Sequence, residues 1–189
     1  MSEQEWLLFT SQLSATSSSP RVTVWRRLRA AGALGLQNSI WLLPRSAYHE
    51  QFLQKLTEYA IKQGGAAQYF GVISLGNLSD ADIVAQFVAE RHDEYEELAE
   101  HCREFLTEMG KEIAHERFTY GELEESEANF ERLEKWLAKI QKRDFFGGAM
   151  AETAVRELEA CREILNRFTH LVYIQEGIEM LDSDAEEDA

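Results

Sequence analysis

The first part of the chain alternates between short apolar runs and segments with helical spacing. The apolar runs are bounded by residues rich in Gly, Pro or Ser, which is typical of short buried strands. The segments between them, about 20–33 and 46–63, repeat apolar residues three or four positions apart and end at glycines, which predicts helices. The predicted strands cover residues 6–13, 37–43 and 67–75. This β-α-β-α-β order predicts a small ferredoxin-like α/β domain over residues 1–78.

A ferredoxin-like sheet needs a fourth strand in addition to these three. Residues 169–174 are a candidate, although they fit the last turns of a helix equally well. In the first predicted helix, Trp25, Leu28 and Gly32 fall on one face, and arginines fall on the other. This arrangement predicts an amphipathic helix with its apolar face against the sheet.

From Ser79 onward the apolar residues follow heptads. Val88, Tyr95, Cys102 and Met109 repeat every seven residues, and two later segments repeat the design. Three consecutive heptad segments with short breaks predict an antiparallel three-helix bundle over residues 79–176, followed by a disordered acidic tail, 177–189. The predicted helices cover residues 79–115, 120–143 and 149–174. The predicted fold class is therefore α+β, with a ferredoxin-like part followed by the bundle.

Charge is divided unevenly between the two parts. The 189 residues carry a net charge of −15. Residues 1–79 carry seven basic and four acidic side chains, whereas the remaining 110 residues carry 12 basic and 30 acidic ones. No apolar run is long enough to span a membrane, and the chain does not start with a basic leader, so we expect it in the cytoplasm. The two cysteines, Cys102 and Cys161, are predicted to be small core residues.

Several motifs together resemble one family. They are residues 6–44, RHDEY at 91–95, FTYGELEESE at 118–127 and KWLAKIQKRDFFG at 135–147. Their order and spacing resemble the N-terminal region of the ChrB chromate-resistance regulator family over about residues 6–175. Residues 6–44 also resemble the ferredoxin-like module of phenylacetate-pathway repressors and of small CRISPR-associated nucleases.

This resemblance implies a bacterial cytoplasmic protein linked to the chromate response. Longer members of the family are described as chromate-sensitive transcriptional regulators with a further C-terminal domain. This chain stops before that domain, so one expectation is that a separate partner protein supplies it. A ferredoxin-like domain often pairs through its sheet, and we therefore expect a homodimer.

A cluster of arginines is the first candidate site. Arg26, Arg27 and Arg29 share one arc of the first predicted helix, and Arg21 and Arg45 are expected nearby. Such a surface suits phosphate or another anion, and operator DNA is one candidate partner. Two alternatives stay open: the arginines form a solvated face, or they pair with the acidic helices of the same chain. The whole-chain pI of about 4.7 is unusual for a DNA-binding protein.

The second candidate site surrounds Arg91, which occupies a core-facing heptad position. A buried guanidinium needs a charged partner, and Glu124, Glu125 or Asp144 could provide it. One hypothesis is an ion-pair network that fixes helix register. The other is an oxyanion pocket in which Arg91 and Arg143 bind chromate. The residues of this predicted group are Arg91, Asp93, Tyr95, Glu124, Arg143 and Asp144.

Motifs for catalysis and for cofactors are missing from the sequence. The end of the first strand reads Thr10-Ser11-Gln12, without the carboxylate that a metal-dependent nuclease would need there. Glu112-x-x-His115 is half of a ferritin-like metal motif, and no second pair accompanies it. We therefore expect no enzyme, no catalytic residue, no metal and no cofactor. The two functional hypotheses are a regulator that acts through DNA or protein contacts and an oxyanion sensor that does not bind DNA.

Overall fold

The structure is a computed structural model that describes residues 5–13, 18–37 and 39–177. It is α+β, as predicted, and most of its residues are helical. Within these residues the sheet contains four strands, and five helices separate or follow them. In chain order the elements are β1 (Trp6–Gln12), α1 (Ser18–Ala30), β2 (Leu34–Gln37), β3 (Ile40–Pro44), α2 (Ala47–Lys62), β4 (Ala66–Val72), α3 (Asp80–Ala114), α4 (Tyr120–Gln141) and α5 (Ala149–Gln175).

The chain divides into two compact units that do not coincide with simple halves of the sequence. The sheet unit comprises Met1–Arg91 together with Ile140–Gly147, and the helical unit comprises His92–Lys139 and Gly148–Ala189. Helix α3 therefore contributes residues to both units. The predicted domain boundaries after residues 78 and 176 stay predictions. The predicted acidic tail, apart from Gly177, lies outside the described residues.

The four strands form one antiparallel sheet in the order β2-β3-β1-β4. Strand β1 is central and pairs with β4 along its whole length, from Trp6 opposite Val72 to Gln12 opposite Ala66. On its other side β1 pairs with β3, from Trp6 opposite Pro44 to Thr10 opposite Ile40. Its apolar run is explained by this position, because a central strand is covered on both faces.

The predicted number of strands was wrong. The segment 37–43, predicted as one strand, contains the end of β2, a turn and most of β3. The turn includes Ser39, whose φ is +66°, and the register of the β2–β3 pair shifts between Gly35 and Gln37. The alternative strand at 169–174 is also wrong, because those residues lie in α5.

Both faces of the sheet carry a core. On one face Leu7 and Phe9 of β1 pack with Leu28 of α1 and Leu53 of α2. The prediction that Trp25 shares this buried face of α1 was wrong, since Trp25 is 52% exposed and Val24 is buried beside Leu28. The second face is covered by residues from later in the chain. Its core residues are Trp6, Leu34, Leu42, Ile83 and Phe87, with Phe145 and Phe146 packed against them.

A close approach joins the end of α1 to the segment that follows α4. Gly32 has a φ of +78°, and a Cβ atom built on it would lie 2.7 Å from the carbonyl oxygen of Arg143. An L side chain is disfavoured there both by the left-handed backbone and by the missing space. Gly32 therefore allows residues 140–147 to pack closely against the end of α1 within the sheet unit.

In the helical unit, three helices share apolar contacts. Phe105 of α3 contacts Phe130 of α4, with ring centroids 6.2 Å apart. The thiol of Cys161 in α5 lies 3.3 Å from the carbonyl oxygen of Cys102 in α3. Both cysteines are buried, which confirms the prediction that they are core residues. No helix in the described part of the chain combines the length and the hydropathy needed to cross a bilayer. The antiparallel order of the predicted bundle stays a prediction.

Candidate functional site

Helix α1 carries four of the five arginines of the predicted cluster, and they differ in their surroundings. Arg21 and Arg26 are exposed, and neither forms an ion pair with a described residue. The guanidinium carbon of Arg27 lies 4.5 Å from the centroid of the Tyr59 ring, a cation–π distance. Arg29 is half-exposed and donates a hydrogen bond of 2.9 Å from Nη1 to Oε2 of Glu90.

The fifth arginine, Arg45, lies at the end of β3 and has two carboxylate partners. Its Nε donates to Glu50 at 2.8 Å, and its Nη1 donates to Glu5 at 2.9 Å. The hydrogen bond that Arg45 donates to Glu50, assisted by the charges of Glu5 and Glu50, raises the pKa of Arg45. Because two carboxylates already neutralise its charge, Arg45 is the weakest of the five as an anion-binding group.

Two exposed apolar side chains lie among the arginines of α1. Trp25 and Val22 are both exposed, and they fall within one turn of Arg21 and Arg26. An exposed Trp between arginines is a combination that suits nucleic acid, because the ring can stack or pack on sugars while the guanidinium groups bind phosphate. Helical spacing places Trp25 on the same face as Leu28 and Gly32, so this part of the surface was not predicted from the sequence.

Arg91 is buried, with 4% of its surface exposed, as its heptad position predicts. Its Nη2 donates to Oε2 of Glu90 at 3.0 Å, the same oxygen that accepts from Arg29. Two guanidinium groups therefore converge on one carboxylate oxygen. Glu90 was not among the predicted partners of Arg91, although it is adjacent in the sequence, because reasoning from heptads looks for partners on other helices.

Arg143 and Asp144 belong to the sheet unit, as Arg91 does. Asp144 Oδ1 accepts hydrogen bonds from the backbone N–H groups of Phe146 at 3.2 Å and Gly147 at 2.8 Å. This geometry fixes the turn after α4 and positions the two phenylalanines of that turn. These two hydrogen bonds show that Asp144 stabilises the turn that follows α4.

The other residues of the second predicted group lie in the helical unit. Tyr95 is buried in α3, whereas Asp93 of α3 and Glu124 of α4 are exposed. An open surface cavity of about 410 Å³ also lies in this unit, and none of the predicted site residues lines it. Its lining residues are His101, Glu104, Phe105, Glu108, Asn129, Arg132, Leu133 and Trp136. Within the described residues, no group of three or more His, Cys, Asp or Glu side chains is arranged to hold a metal ion.

Comparison with known proteins gives one family. Residues 21–178 match the family described as Protein ChrB, N-terminal. The chain is also 28% identical over 168 residues to Protein ChrB of Cupriavidus metallidurans (strain ATCC 43123 / DSM 2839 / NBRC 102507 / CH34), a match that covers 86% of this chain and 48% of that protein. The chain therefore spans about half the length of this relative. Because the family match covers most of its length, the chain belongs to the ChrB N-terminal family.

Proposed function

We propose that this protein is a regulatory protein of chromate resistance that acts by binding and not by catalysis, and that α1 is its DNA contact surface. The observation that carries the proposal is the exposed face of α1. There Arg21, Arg26 and the partly exposed Arg29 surround the exposed Trp25. Family membership supports the regulatory role.

The positions of the arginines along α1 support an external partner. Arg27 and Arg29 lie in the last turn, where positive charge also stabilises the helix itself. Arg21 lies in the first turn, where positive charge opposes the helix dipole. Since Arg21 does not stabilise its own helix, an anion outside the protein is the better explanation of its presence.

The test is binding to a duplex that covers the region upstream of the protein's own gene. Binding is measured by fluorescence anisotropy over a range of salt concentrations for the wild type and for R21E/R26E. We expect the variant to lose most of its affinity and to reduce the slope of log K against log salt by about two, because two phosphate contacts are removed. Equal affinity for the two proteins would exclude α1 as the contact surface.

A matched control keeps the change in net charge constant. Arg156 and Arg167 are exposed arginines of α5 in the helical unit. R156E/R167E should bind the duplex as the wild type does, apart from a small general effect of net charge. If both double variants lose affinity equally, the effect comes from the overall charge and the proposed surface is wrong.

A second candidate function, an oxyanion sensor that binds chromate, is favoured by the burial of Arg91. Guanidinium groups bind tetrahedral oxyanions through paired hydrogen bonds, and here Arg29 and Arg91 already share a carboxylate oxygen. A bound oxyanion would replace Glu90 at this position. Calorimetric titration with chromate tests this, with E90Q expected to bind more tightly than the wild type. Absence of heat at millimolar chromate in both proteins would contradict it.

The proposal includes two finer features of the fold and a cellular location. The β-α-β-β-α-β order of the sheet unit and its strand order support a ferredoxin-like fold. The contacts among α3, α4 and α5 support a three-helix bundle. A regulator that binds DNA in a bacterium would be cytoplasmic.

A further inference from the structure

The two edges of the sheet differ in how they are protected from other strands. Strand β2 is four residues long, and its pairing with β3 is interrupted by a register shift. Short length and irregular pairing are common means of blocking an edge. Strand β4, at the other edge, has seven residues and pairs with β1 at every position without a shift. Among the described residues no strand lies beyond β4.

The β4 edge also lacks charged residues. Residues 63–79 form the longest stretch of the chain without Asp, Glu, Lys or Arg, in a protein in which 28% of residues are charged. Edge strands in soluble proteins usually carry a charge or a proline that prevents pairing, and β4 has neither. Neither the composition of β4 nor another strand among the described residues therefore blocks its outer edge.

Apolar side chains are exposed along the same segment. Phe70 is 47% exposed, and Leu75, in the loop after β4, is 86% exposed. Ile73 and Leu78 are also exposed. Four exposed apolar side chains within residues 70–78, next to a regular strand edge, have the composition of an interaction surface, whereas isolated exposed apolar residues would need no explanation.

We propose that β4 pairs antiparallel with β4 of a second copy of the chain, which would join two sheets into one. Two copies with a net charge of −15 each repel one another, and a charge-free segment is where they can approach most closely. Antiparallel pairing of two identical strands obeys two-fold symmetry, the commonest symmetry of homodimers. This inference assigns a surface to the expected homodimer and does not depend on the DNA contact of α1.

Two-fold pairing centred on Tyr69, the middle residue of β4, defines the neighbours across the interface. Phe70 then lies opposite Gln68 of the partner subunit, and the same contact recurs on the other side of the axis. Both residues point to the same face of the sheet, because they are two positions apart on a strand. Charges at positions 68 and 70 would therefore meet charges of the second copy directly.

The experiment combines a basic and an acidic variant of the full chain. Q68K/F70K and Q68E/F70E are each examined by sedimentation velocity over a range of concentrations, and then mixed in equal amounts. We expect a wild-type dimer and a weakening of self-association by about 10-fold or more in each variant, because two pairs of like charges are opposed across the strands. The mixture should form heterodimers of wild-type affinity.

V155K provides the control, because Val155 of α5 is exposed to a similar degree, 43%. It should remain a dimer. A wild type that is monomeric at tens of micromolar, or charged variants that dimerise as the wild type does, would overturn the proposal. If the two variants are monomeric and fail to associate when mixed, β4–β4 pairing is also wrong. DNA binding by α1 is measured separately, so the failure of either proposal can be recognised.

Discussion

The sheet unit and the helical unit differ in sign of charge more than in any other property. The sheet unit, Met1–Arg91 with Ile140–Gly147, contains ten basic and eight acidic side chains, whereas the helical unit contains nine basic and 26 acidic ones. The low whole-chain pI of about 4.7 therefore arises from the acidic residues of the helical unit. The negative total charge therefore does not exclude DNA binding by α1. The exposed face of this helix belongs to a unit of slightly positive charge.

The two units also differ in how they use buried residues. The sheet unit buries aromatic rings on both faces of β1, with Trp6 stacked on Phe87 at 5.8 Å and an interplanar angle of 7°. The helical unit buries heptad rows on separate helices, with Cys102 in the row of α3 and Cys161 in that of α5. The sheet unit thus packs large rings around a central strand. The helical unit packs its buried side chains, aromatic ones included, at heptad spacing along helices.

The largest expected effect is the loss of a buried aromatic ring in either unit. Phe168 in α5 and Phe9 in β1 are almost completely buried. Phe168→Ala and Phe9→Ala should each lower the free energy of unfolding by about 3–5 kcal/mol, measured by urea denaturation. The surface variant Val155→Ala should change it by less than about 0.5 kcal/mol. A loss below about 1 kcal/mol for one of the two phenylalanines would mean that its unit is loosely packed.

The next largest effect concerns Gly32, where backbone strain and a close contact coincide. Gly64 has nearly the same φ, +77°, but a Cβ atom there would meet nothing within 4 Å. Gly64→Ala should destabilise by about 1–2 kcal/mol through backbone strain alone. Gly32→Ala should cost at least about 1 kcal/mol more, because the Arg143 carbonyl must move. Equal losses of stability in the two variants would show that the Arg143 carbonyl moves away at little cost. Residues 140–147 would then be only loosely packed in the sheet unit.

A smaller effect of opposite sign is expected near the C-terminal end of α3. Gly110 lies in the helical part of the chain, and a Cβ atom there would also meet nothing within 4 Å. Gly110→Ala should raise the free energy of unfolding by about 0.5–1 kcal/mol, because alanine loses less backbone entropy in a helix. Thermal denaturation at neutral pH measures this. A destabilised variant would indicate that α3 is not a regular helix at this position.

The smallest effect is a pH-dependent one at the start of α3. Asp82 accepts hydrogen bonds from the Ser79 hydroxyl at 2.6 Å and the Ser79 backbone N–H at 3.0 Å, and these bonds lower the pKa of the Asp82 carboxyl. Its stabilising contribution is complete above the usual Asp pKa of about 3.9 and is lost as the pH falls through the lower folded-state pKa. The Asp82→Asn variant should therefore have a lower Tm than the wild type at pH 7, and the two proteins should have the same Tm at pH 2. A constant difference across this range would exclude titration of Asp82 as the cause.

The helices could be predicted closely from the sequence. The second helix was predicted over 46–63 and lies at Ala47–Lys62, and the last was predicted over 149–174 and lies at Ala149–Gln175. Each has a distinct apolar period and a recognisable end, such as the glycine pair after α2. The long period of a helix makes such a pattern visible over many residues.

The strands and the candidate site could be predicted less well. Strand β2 has four residues, and the sequence between β2 and β3 reads Asn-Ser and not the Asn-Gly pair typical of a hairpin, so two strands looked like one. The burial of Arg91 was predictable from its heptad position, whereas its bond to Glu90 depends on side-chain rotamers that a repeat does not encode. Trp25 was assigned to the apolar face because it shares helical spacing with Leu28 and Gly32, although only the packing of α1 decides which of Val24 and Trp25 faces the sheet.

The inclusion of residues 140–147 in the sheet unit has a consequence for the order of synthesis. Phe145 and Phe146 pack against the second face of the sheet, yet they follow β4 by more than 70 residues in the chain. During translation the sheet can form as soon as β4 has left the ribosome, but that face remains incompletely covered until the end of α4 has emerged. For this interval the nascent chain exposes Trp6 and Leu42 more fully, which is when a ribosome-associated chaperone would have most to bind.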